Sequence, residues 1–325
     1  MKTRQLAGYD VGAIGLGCMS FGGIYGATDD DTSFACLEAA LDLGITHWDV
    51  AEIYGAGHSE TVLGRFLAQT PADVTIATKA GIYASPERFF SNAPDRLRAS
   101  LEGSLTRLGR DRVELFYIHR REQERPIEEV METLAGFIEE GLIGAIGLSE
   151  VAPFTLRRAA RVHPVAAVQS EYSLWTRLPE LGMIQACADL GTTFVAFSPV
   201  ARGMLADRFP DPATFPKGDF RTSNPRFMEP HYSENCAALR PFQAFCADRG
   251  WSTSAVALAW LLDQGDHILP IPGTRSGDHL RDLATGADIT LSAADHTEIA
   301  RLLPPGFAHG DRYSPAQQIG NEAYC

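Results

Sequence analysis

The sequence predicts an α/β protein of the (β/α)8 TIM-barrel class, because short apolar runs alternate with amphipathic helical patterns along nearly the whole chain. Helical crossovers between strands imply a parallel sheet that is buried on both faces. The predicted strands are Ala13–Gly17, Thr46–Asp49, Asp73–Thr78, Leu115–Ile118, Ala145–Leu148, Ala166–Gln169, Thr193–Phe197 and His267–Ile271. This number of strands favours a closed barrel over an open doubly wound sheet.

Helical patterns connect these strands without a linker, so we expect a single domain over residues 1–325. The predicted helices are Asp31–Leu43, Ser59–Ala68, Asp95–Leu108, Pro126–Glu140, Ala152–Arg161, Glu180–Leu190 and Ser252–Leu262. An N-terminal hairpin over Thr3–Val11 is expected to close the bottom of the barrel. Leu291–Pro304 is predicted as an extra C-terminal helix, and residues 307–325 as an irregular tail.

One long segment, Leu205–Tyr232, follows the seventh predicted strand and has no periodic pattern. A loop of this length inside a compact domain is usually functional or disordered. We therefore expect it to lie over the mouth of the barrel.

The composition argues against several classes of protein. A net charge of -13 and the lack of a Lys/Arg cluster disfavour a nucleic-acid partner. No run approaches the roughly 18 apolar residues of a membrane span, and the first residues lack the apolar stretch of a signal peptide. The six cysteines form no CxxC pair and indicate reduced thiols. We expect a cytoplasmic protein with a small-molecule partner and no membrane partner; the oligomeric state is not predicted.

Polar side chains follow three of the predicted strands. Asp49 ends one strand, Lys79 follows the run that ends at Thr78, and His119 follows Ile118; Tyr54 lies five residues beyond Asp49. Each of these residues alone would more often be structural. Because the carboxyl ends of barrel strands form the active-site face, we expect the four to meet there.

These four groups together indicate carbonyl reduction. An ammonium beside a phenol lowers the phenol pKa from about 10. Asp49 would keep Lys79 charged, His119 would hold a carbonyl oxygen, and Tyr54 would protonate that oxygen as a hydride reaches the carbon. No side chain supplies a hydride, so a nicotinamide cofactor is required.

Short motifs of one family occur in order along the chain. They are Gly15-Leu16-Gly17-Cys18-Met19, the segments 48–55 and 59–64, Ala77-Thr78-Lys79, Ile118-His119-Arg120, the segments 146–150 and 168–175, Phe197-Ser198-Pro199, and the segment 271–275. With them the sequence resembles the aldo-keto reductase superfamily, and among its members those of bacteria and plants with GLSE and EYSLW segments. The resemblance implies a (β/α)8 barrel, reduction of aldehydes and ketones with NADPH, and a catalytic tetrad of Asp49, Tyr54, Lys79 and His119.

The resemblance also implies contacts to the nicotinamide. Ser149 and Gln169 match positions that bind the carboxamide, and Phe197 matches the aromatic residue that stacks on the ring. The Ser-Asn pair that is common in the family is Ser149-Glu150 here, which leaves the role of Glu150 open.

The phosphate contacts carry over in the same way. Ser198, Gly203 and Leu205 match the loop that surrounds the pyrophosphate, and Arg221 is expected to reach the same phosphates. The remaining predicted cofactor-binding residues are Gly17, Cys18, Met19, Pro199, Gly273, Thr274, Arg275, His279 and Asp282.

The segment Thr274–Leu283 departs from the family pattern, which usually has a second basic residue near 276, an arginine at 279 and a Glu-Asn pair at 282 and 283. Here the 2′-phosphate of NADP would be held by Arg275, Ser276, Thr274 and a protonated His279, a weaker clamp than two arginines. NADPH is still favoured, with NADH as the alternative.

Three other interpretations fit the sequence less well. A nucleotide-binding regulatory subunit with negligible turnover, like the potassium-channel beta subunits of this superfamily, would keep the same tetrad; the lack of an N-terminal extension disfavours it. A metal-dependent lyase or isomerase is disfavoured because the nine histidines show no HExxH spacing, and no metal is expected. A Rossmann fold is disfavoured because Gly15-x-Gly17-x-x-Ser20 lacks the third glycine.

Aromatic residues in the mouth loops predict an apolar substrate cleft. They are Phe21, Tyr25, Tyr83, Trp175, Phe220 and Tyr313. Arg120, Arg121 and Arg226 would favour an anionic substrate, although surface ion pairs are the default interpretation for them. The sequence does not identify the natural substrate.

Overall fold

The computed structural model describes residues 1–84 and 88–324. Its strands are β1 (Thr3–Leu6), β2 (Tyr9–Gly12), β3 (Leu16–Gly17), β4 (His47–Asp49), β5 (Thr75–Ala80), β6 (Ile82–Tyr83), β7 (Phe89–Phe90), β8 (Leu115–Ile118), β9 (Ile146–Ser149), β10 (Ala167–Glu171), β11 (Thr193–Phe197) and β12 (Ile268–Ile271). Its α-helices are α1 (Asp30–Asp42), α2 (His58–Gln69), α3 (Pro94–Leu108), α4 (Ile127–Glu139), α5 (Pro153–Ala159), α6 (Met183–Leu190), α7 (His231–Ala247), α8 (Thr253–Leu262), α9 (Gly277–Ala284), α10 (Ala293–Leu302) and α11 (Pro315–Gln318).

The strands from β3 to β12, without the small β6–β7 hairpin, form one parallel sheet in sequence order. The two edges of that sheet meet, because Gly15 and Gly17 donate backbone hydrogen bonds to Pro270 and Pro272 at 2.9 and 3.0 Å. The predicted (β/α)8 barrel is therefore confirmed.

The barrel has an inner and an outer apolar core. The outer core fills the space between strands and helices, and the inner one lies within the barrel. Leu6 and Val11 of the β1–β2 hairpin are fully buried in the inner core together with Leu115, Val195 and Leu269. The N-terminal hairpin thus closes the bottom of the barrel, as predicted, and leaves the carboxyl ends of the strands as the open face.

Several elements differ from the expectation. Helix α7 was not predicted, because Pro241 interrupts its pattern and its first turn is polar. The tail expected to be irregular contains α11, which begins with a Ser314 capping box. The long loop before α7 contains three 3₁₀ turns, each capped by the side chain of Asp211, Asp219 or Asn224.

No helix among the described residues combines the length and the apolar character that a membrane crossing needs. The cysteines of the described residues are buried free thiols, whereas Cys325 lies outside those residues.

Candidate active site

The four predicted catalytic residues meet at the carboxyl-terminal mouth of the barrel. Asp49 ends β4, Lys79 lies near the end of β5, His119 directly follows β8, and Tyr54 lies in a turn beyond β4. The centroid of the Tyr54 ring lies 5.2 Å from Lys79 Nζ. It lies 5.7 Å from the centroid of the His119 ring, which is almost perpendicular to it. Side chains from three strand ends therefore surround one small space.

A buried ion pair forms the floor of this space. Lys79 Nζ donates to Asp49 Oδ1 and, at 2.9 Å, to the carbonyl of Val50. The other oxygen of Asp49 accepts a 2.7 Å hydrogen bond from Gln169 Nε2. Burial lowers the pKa of Lys79, and the charge of Asp49 opposes that shift. Because both groups are buried and each has partners, their positions are fixed by the fold.

The turn that carries Tyr54 is held from two sides. Gly22 lies so close that a Cβ there would be 2.8 Å from the Tyr54 carbonyl carbon. On the other side, the fully buried Glu60 of α2 accepts hydrogen bonds from Arg107 Nε at 2.7 Å and Thr78 Oγ1 at 2.5 Å. Since Thr78 precedes Lys79 in β5, Glu60 links that strand to the helix that follows the Tyr54 turn.

The electrostatics of Tyr54 correct one expectation. We expected Lys79 to lower the pKa of the phenol, but burial raises the pKa of Tyr54 and the charge of Asp49 adds to the rise. Lys79 directs its hydrogen bonds at Asp49 and at the Val50 carbonyl rather than at the phenol. The cation that lowers the pKa of Tyr54 is Arg120. Tyr54 is thus a neutral phenol at physiological pH, which suits a proton donor.

His119 is a neutral imidazole. Burial lowers its pKa well below 6.5, and the charges of Arg120, Lys79 and Arg88 lower it further. A neutral ring has one N–H donor and one acceptor nitrogen. His119 can therefore donate a hydrogen bond to a carbonyl oxygen without adding a charge.

The residues predicted to bind the nicotinamide lie on neighbouring strands of the same face. Ser149 ends β9, Gln169 lies in β10 and Phe197 ends β11 with its ring half-buried. The Gln169 amide is directed at Asp49, and the Ser149 hydroxyl accepts a 3.1 Å hydrogen bond from Arg120 Nη1. Their contacts to a nicotinamide stay predictions.

The loop after β11 has a strained backbone. Ser198, Ala201, Arg202 and Gly203 have φ values of 50°, 53°, 56° and 100°, and non-glycine residues rarely adopt this left-handed region. Such strain concentrates at functional loops. The side chain of Leu205, by contrast, is fully buried in the outer core, so it stabilises the base of the loop.

Arg221 already has an acidic partner. Its Nη2 and Nε donate to the two carboxylate oxygens of Asp219 at 2.7 and 3.0 Å. Its Cζ lies 4.9 Å from the centroid of the Tyr25 ring and 4.0 Å from that of Phe215. The long loop therefore reaches the first loop of the barrel. A phosphate bound by Arg221, as predicted, would share the guanidinium with Asp219.

The predicted 2′-phosphate clamp lies at the start of α9. Arg275 Nη1 donates to the carbonyls of Gly26 and Ala27 at 2.7 and 2.8 Å. Ser276 caps the helix by accepting from the backbone N–H of the exposed His279. Asp282 accepts hydrogen bonds from Ser252 and Ser254 at 3.0 and 2.8 Å, so its side chain is directed at α8. Thr274 Oγ1 accepts from the Ser276 backbone N–H at 3.1 Å.

The remaining predicted cofactor residues lie near the seam of the barrel. Gly17 pairs with Gly273 where β3 meets the end of β12. Cys18 is fully buried, and burial raises the pKa of its thiol well above 9. Met19 is half-buried beside it, and Pro199 is buried after β11.

The structure contains a buried ionic network that the sequence analysis missed. Glu171, at the end of β10, accepts a 2.6 Å hydrogen bond from Arg202 Nη2. Arg312, from the C-terminal tail, donates to both oxygens of Glu150 at 3.1 and 2.5 Å. The Tyr313 ring centroid lies 5.2 Å from Arg202 Cζ and 4.4 Å from Arg312 Cζ. Glu150, whose role the sequence left open, therefore anchors the tail.

The aromatic residues predicted to line the substrate cleft are not all at its surface. Trp175 is 3% exposed. Phe21 is fully buried in the outer core, so it does not line the open mouth. Phe220 and Tyr313 form an edge-to-face pair 6.0 Å apart, and Tyr83 stacks on Phe89.

Known proteins resemble this chain along most of its length. The model of the Aldo/keto reductase family matches residues 13–304. The chain is 38% identical to the aldo-keto reductase yakc of Schizosaccharomyces pombe, whose name specifies NADP(+), over 97% of this chain and 95% of that protein. It is 34% identical to the probable aldo-keto reductase 1 of Glycine max, over 94% of this chain and 89% of that protein. The solved glycerol dehydrogenase of Gluconobacter oxydans matches with a TM-score of 0.86 and 29% identity, over 97% of this chain and 98% of that one.

Proposed function

We propose that this chain, which belongs to the aldo/keto reductase family, is an oxidoreductase that reduces an aldehyde or ketone to an alcohol with NADPH. The observation that carries the proposal is the meeting of a neutral phenol and a neutral imidazole over a buried ammonium–carboxylate pair at one mouth. The names of the relatives support it, since one specifies NADP(+) and another is a glycerol dehydrogenase.

The residues of the mouth fit a phosphorylated dinucleotide. Arg275 uses only Nη1 for its hydrogen bonds within the described residues, which leaves two nitrogens for an anion beside the N-terminus of α9. The left-handed loop at 198–203 and Arg221 would hold the pyrophosphate. Ser149, Gln169 and Phe197 would hold the nicotinamide, which when bound supplies the hydride.

The side chains of the tetrad would divide the remaining work. His119 donates a hydrogen bond to the carbonyl oxygen and places it beside Tyr54. As the carbonyl carbon gains a hydride, Tyr54 transfers its proton to the oxygen, and the phenolate regains a proton from water. Lys79 and Asp49 stay in place beneath the phenol, with the ammonium compensating negative charge on its oxygen.

A nucleotide-binding regulatory subunit with negligible turnover has no support among these relatives. Each of them is named as a reductase or a dehydrogenase. Only turnover distinguishes a reductase from a regulatory subunit, because both would bind the same cofactor.

The test measures the oxidation of NADPH, followed by its loss of absorbance, with a panel of aldehydes and ketones. NADH is tested in parallel. Wild type should turn over, and Tyr54→Phe should lose about a hundredfold or more of kcat while keeping NADPH affinity. Tyr9→Phe is the matched control, since Tyr9 lies exposed at the closed end of the barrel. NADPH binding without turnover of any carbonyl would favour the regulatory subunit instead.

A further inference from the structure

Arg120 is a buried cation beside the candidate catalytic centre. It directly follows His119 at the end of β8 and is only 9% exposed. Its Nη1 donates to the His119 carbonyl at 2.6 Å and to Ser149 Oγ at 3.1 Å. The guanidinium is therefore fixed between the ends of β8 and β9.

The charge of Arg120 has no acidic partner among residues 1–84 and 88–324, whereas other buried arginines of the mouth are paired. Arg202 binds Glu171 and Arg312 binds Glu150. Arg120 forms no ion pair within the described residues, and its Nε is buried without a hydrogen-bond partner. Because a buried charge without a counter-charge is costly, its natural partner is expected to be a ligand.

In the described part of the chain, the carboxylates near Arg120 already have cationic partners. Glu150, whose pKa the charge of Arg120 helps to lower, is bound by Arg312. Both oxygens of Asp49, the carboxylate of the tetrad, are occupied by Lys79 and Gln169. The charge of Arg120 lowers the pKa of Tyr54, Lys79 and His119, so the guanidinium lies within electrostatic reach of the reacting groups. Arg88 adds a second positive charge near His119.

The two other arginines that could favour an anionic substrate are already used. Arg121 pairs with Glu322. Arg226 donates to the carbonyls of Gly310 and Trp175 and to Thr176 Oγ1. Arg121 is thus ion-paired and Arg226 has three oxygen acceptors, whereas Arg120 has two acceptors and no carboxylate partner in the described part of the chain.

We propose, on the basis of the proposed function, that Arg120 binds a carboxylate of the substrate, so that the preferred substrate is a carbonyl compound that also carries a carboxylate. A planar guanidinium is the group best matched to a carboxylate. Because Arg120 is adjacent to His119, the carboxylate and the carbonyl lie a few bonds apart in one small molecule. The reduction itself is unchanged: the carbonyl carbon gains a hydride and its oxygen gains the Tyr54 proton.

The test compares ortho-, meta- and para-formylbenzoate with their methyl esters, which have the same carbonyl without the charge. In wild type, kcat/KM for at least one acid should exceed that for its ester by about tenfold or more. Arg120→Gln should reduce that ratio to about one by lowering kcat/KM for the acid about tenfold more than for the ester, and Arg120→Lys should retain part of the preference. Arg301→Gln, an exposed arginine on α10, is the control and should leave the ratio unchanged.

Two results would overturn the proposal. One is a wild-type enzyme that reduces every ester as well as its acid. The other is an Arg120→Gln variant, folded by circular dichroism, in which acid and ester lose rate alike or the Kd for NADPH rises, because Arg120 would then serve Ser149 or the cofactor.

Binding separates this proposal from the proposed function. Isothermal titration of the NADP-loaded protein with benzoate and with neutral benzamide does not depend on turnover. Benzoate should bind wild type more tightly than benzamide does, and Arg120→Gln should remove the difference. A wild type that lacks reductase activity but shows this difference would contradict the proposed function alone, whereas equal affinities would contradict the role of Arg120.

Discussion

Glu150 and Arg312 are 162 residues apart in sequence, yet the carboxylate of one accepts two hydrogen bonds from the guanidinium of the other, the shorter 2.5 Å long. Burial raises the pKa of Glu150, but Arg312, the charge of Arg120 and the Glu171 backbone N–H together lower it, so the net pKa is lowered. Glu150 directly follows Ser149, which is predicted to bind the nicotinamide. The pair therefore connects that part of the site to the C-terminal tail.

Breaking this pair should destabilise the protein. Arg312→Met leaves a buried carboxylate without its partner, which should lower the free energy of unfolding by about 3–5 kcal/mol. Urea unfolding measures the loss, and limited proteolysis should show earlier cleavage of the tail. Arg301→Gln, which breaks the exposed pair with Glu298, should cost less than about 1 kcal/mol. An Arg312→Met protein as stable as wild type would show that the pair does not hold the tail.

Lys79→Met, alone and combined with Asp49→Asn, should separate stability from turnover. The variant leaves Asp49 buried without its cation, so we expect a loss of about 3–5 kcal/mol of unfolding free energy together with loss of carbonyl reduction. Adding Asp49→Asn removes the unpaired charge and should restore part of the stability without restoring turnover. Urea unfolding and NADPH consumption of both variants measure the two effects; a double variant that recovers both would mean that the pair is only structural.

The buried histidines should make stability depend on pH. Burial lowers the pKa of His119 and of His47, whose Nδ1 lies 3.1 Å from the Thr75 carbonyl oxygen. Their stabilising contribution is present above the unfolded pKa of 6.5 and is lost as the pH falls below it, because the unfolded chain then binds protons that the folded chain excludes.

Between about pH 6.5 and 5.5, each of these histidines should lower the unfolding free energy by up to about 1 kcal/mol. Urea unfolding at several pH values measures the slope. His47→Gln should reduce that slope by about half. A His47→Gln slope equal to that of wild type would mean that His47 protonates as easily in the folded state as in the unfolded one.

The sequence predicts the barrel well because its signals are local. Leu115–Ile118 and Thr193–Phe197 have the predicted bounds, since each is an apolar run with a clear end. Helix α7 could not be predicted, because Pro241 interrupts its helical pattern. The meeting of the four predicted catalytic residues at one mouth could be predicted, because the carboxyl ends of the strands converge in a parallel barrel whatever the side-chain contacts are.

The partners of the site residues could not be predicted in the same way. Glu171 and Arg202 meet only because the loop after β11 turns back through a left-handed backbone. The pKa shift of Tyr54 depends on burial and on the distances to Asp49 and Arg120, none of which a motif contains.

The last prediction concerns the choice of cofactor, which depends on Arg275. Arg275→Met should raise the KM for NADPH by about tenfold or more, because it removes charge-assisted hydrogen bonds to the 2′-phosphate. The KM for NADH, which lacks that phosphate, should change by less than about twofold. Arg281→Met is the matched control: Arg281 lies on the same helix but pairs with the exposed Asp278. Equal changes for the two cofactors would place the role of Arg275 in its hydrogen bonds to Gly26 and Ala27, which hold the first loop.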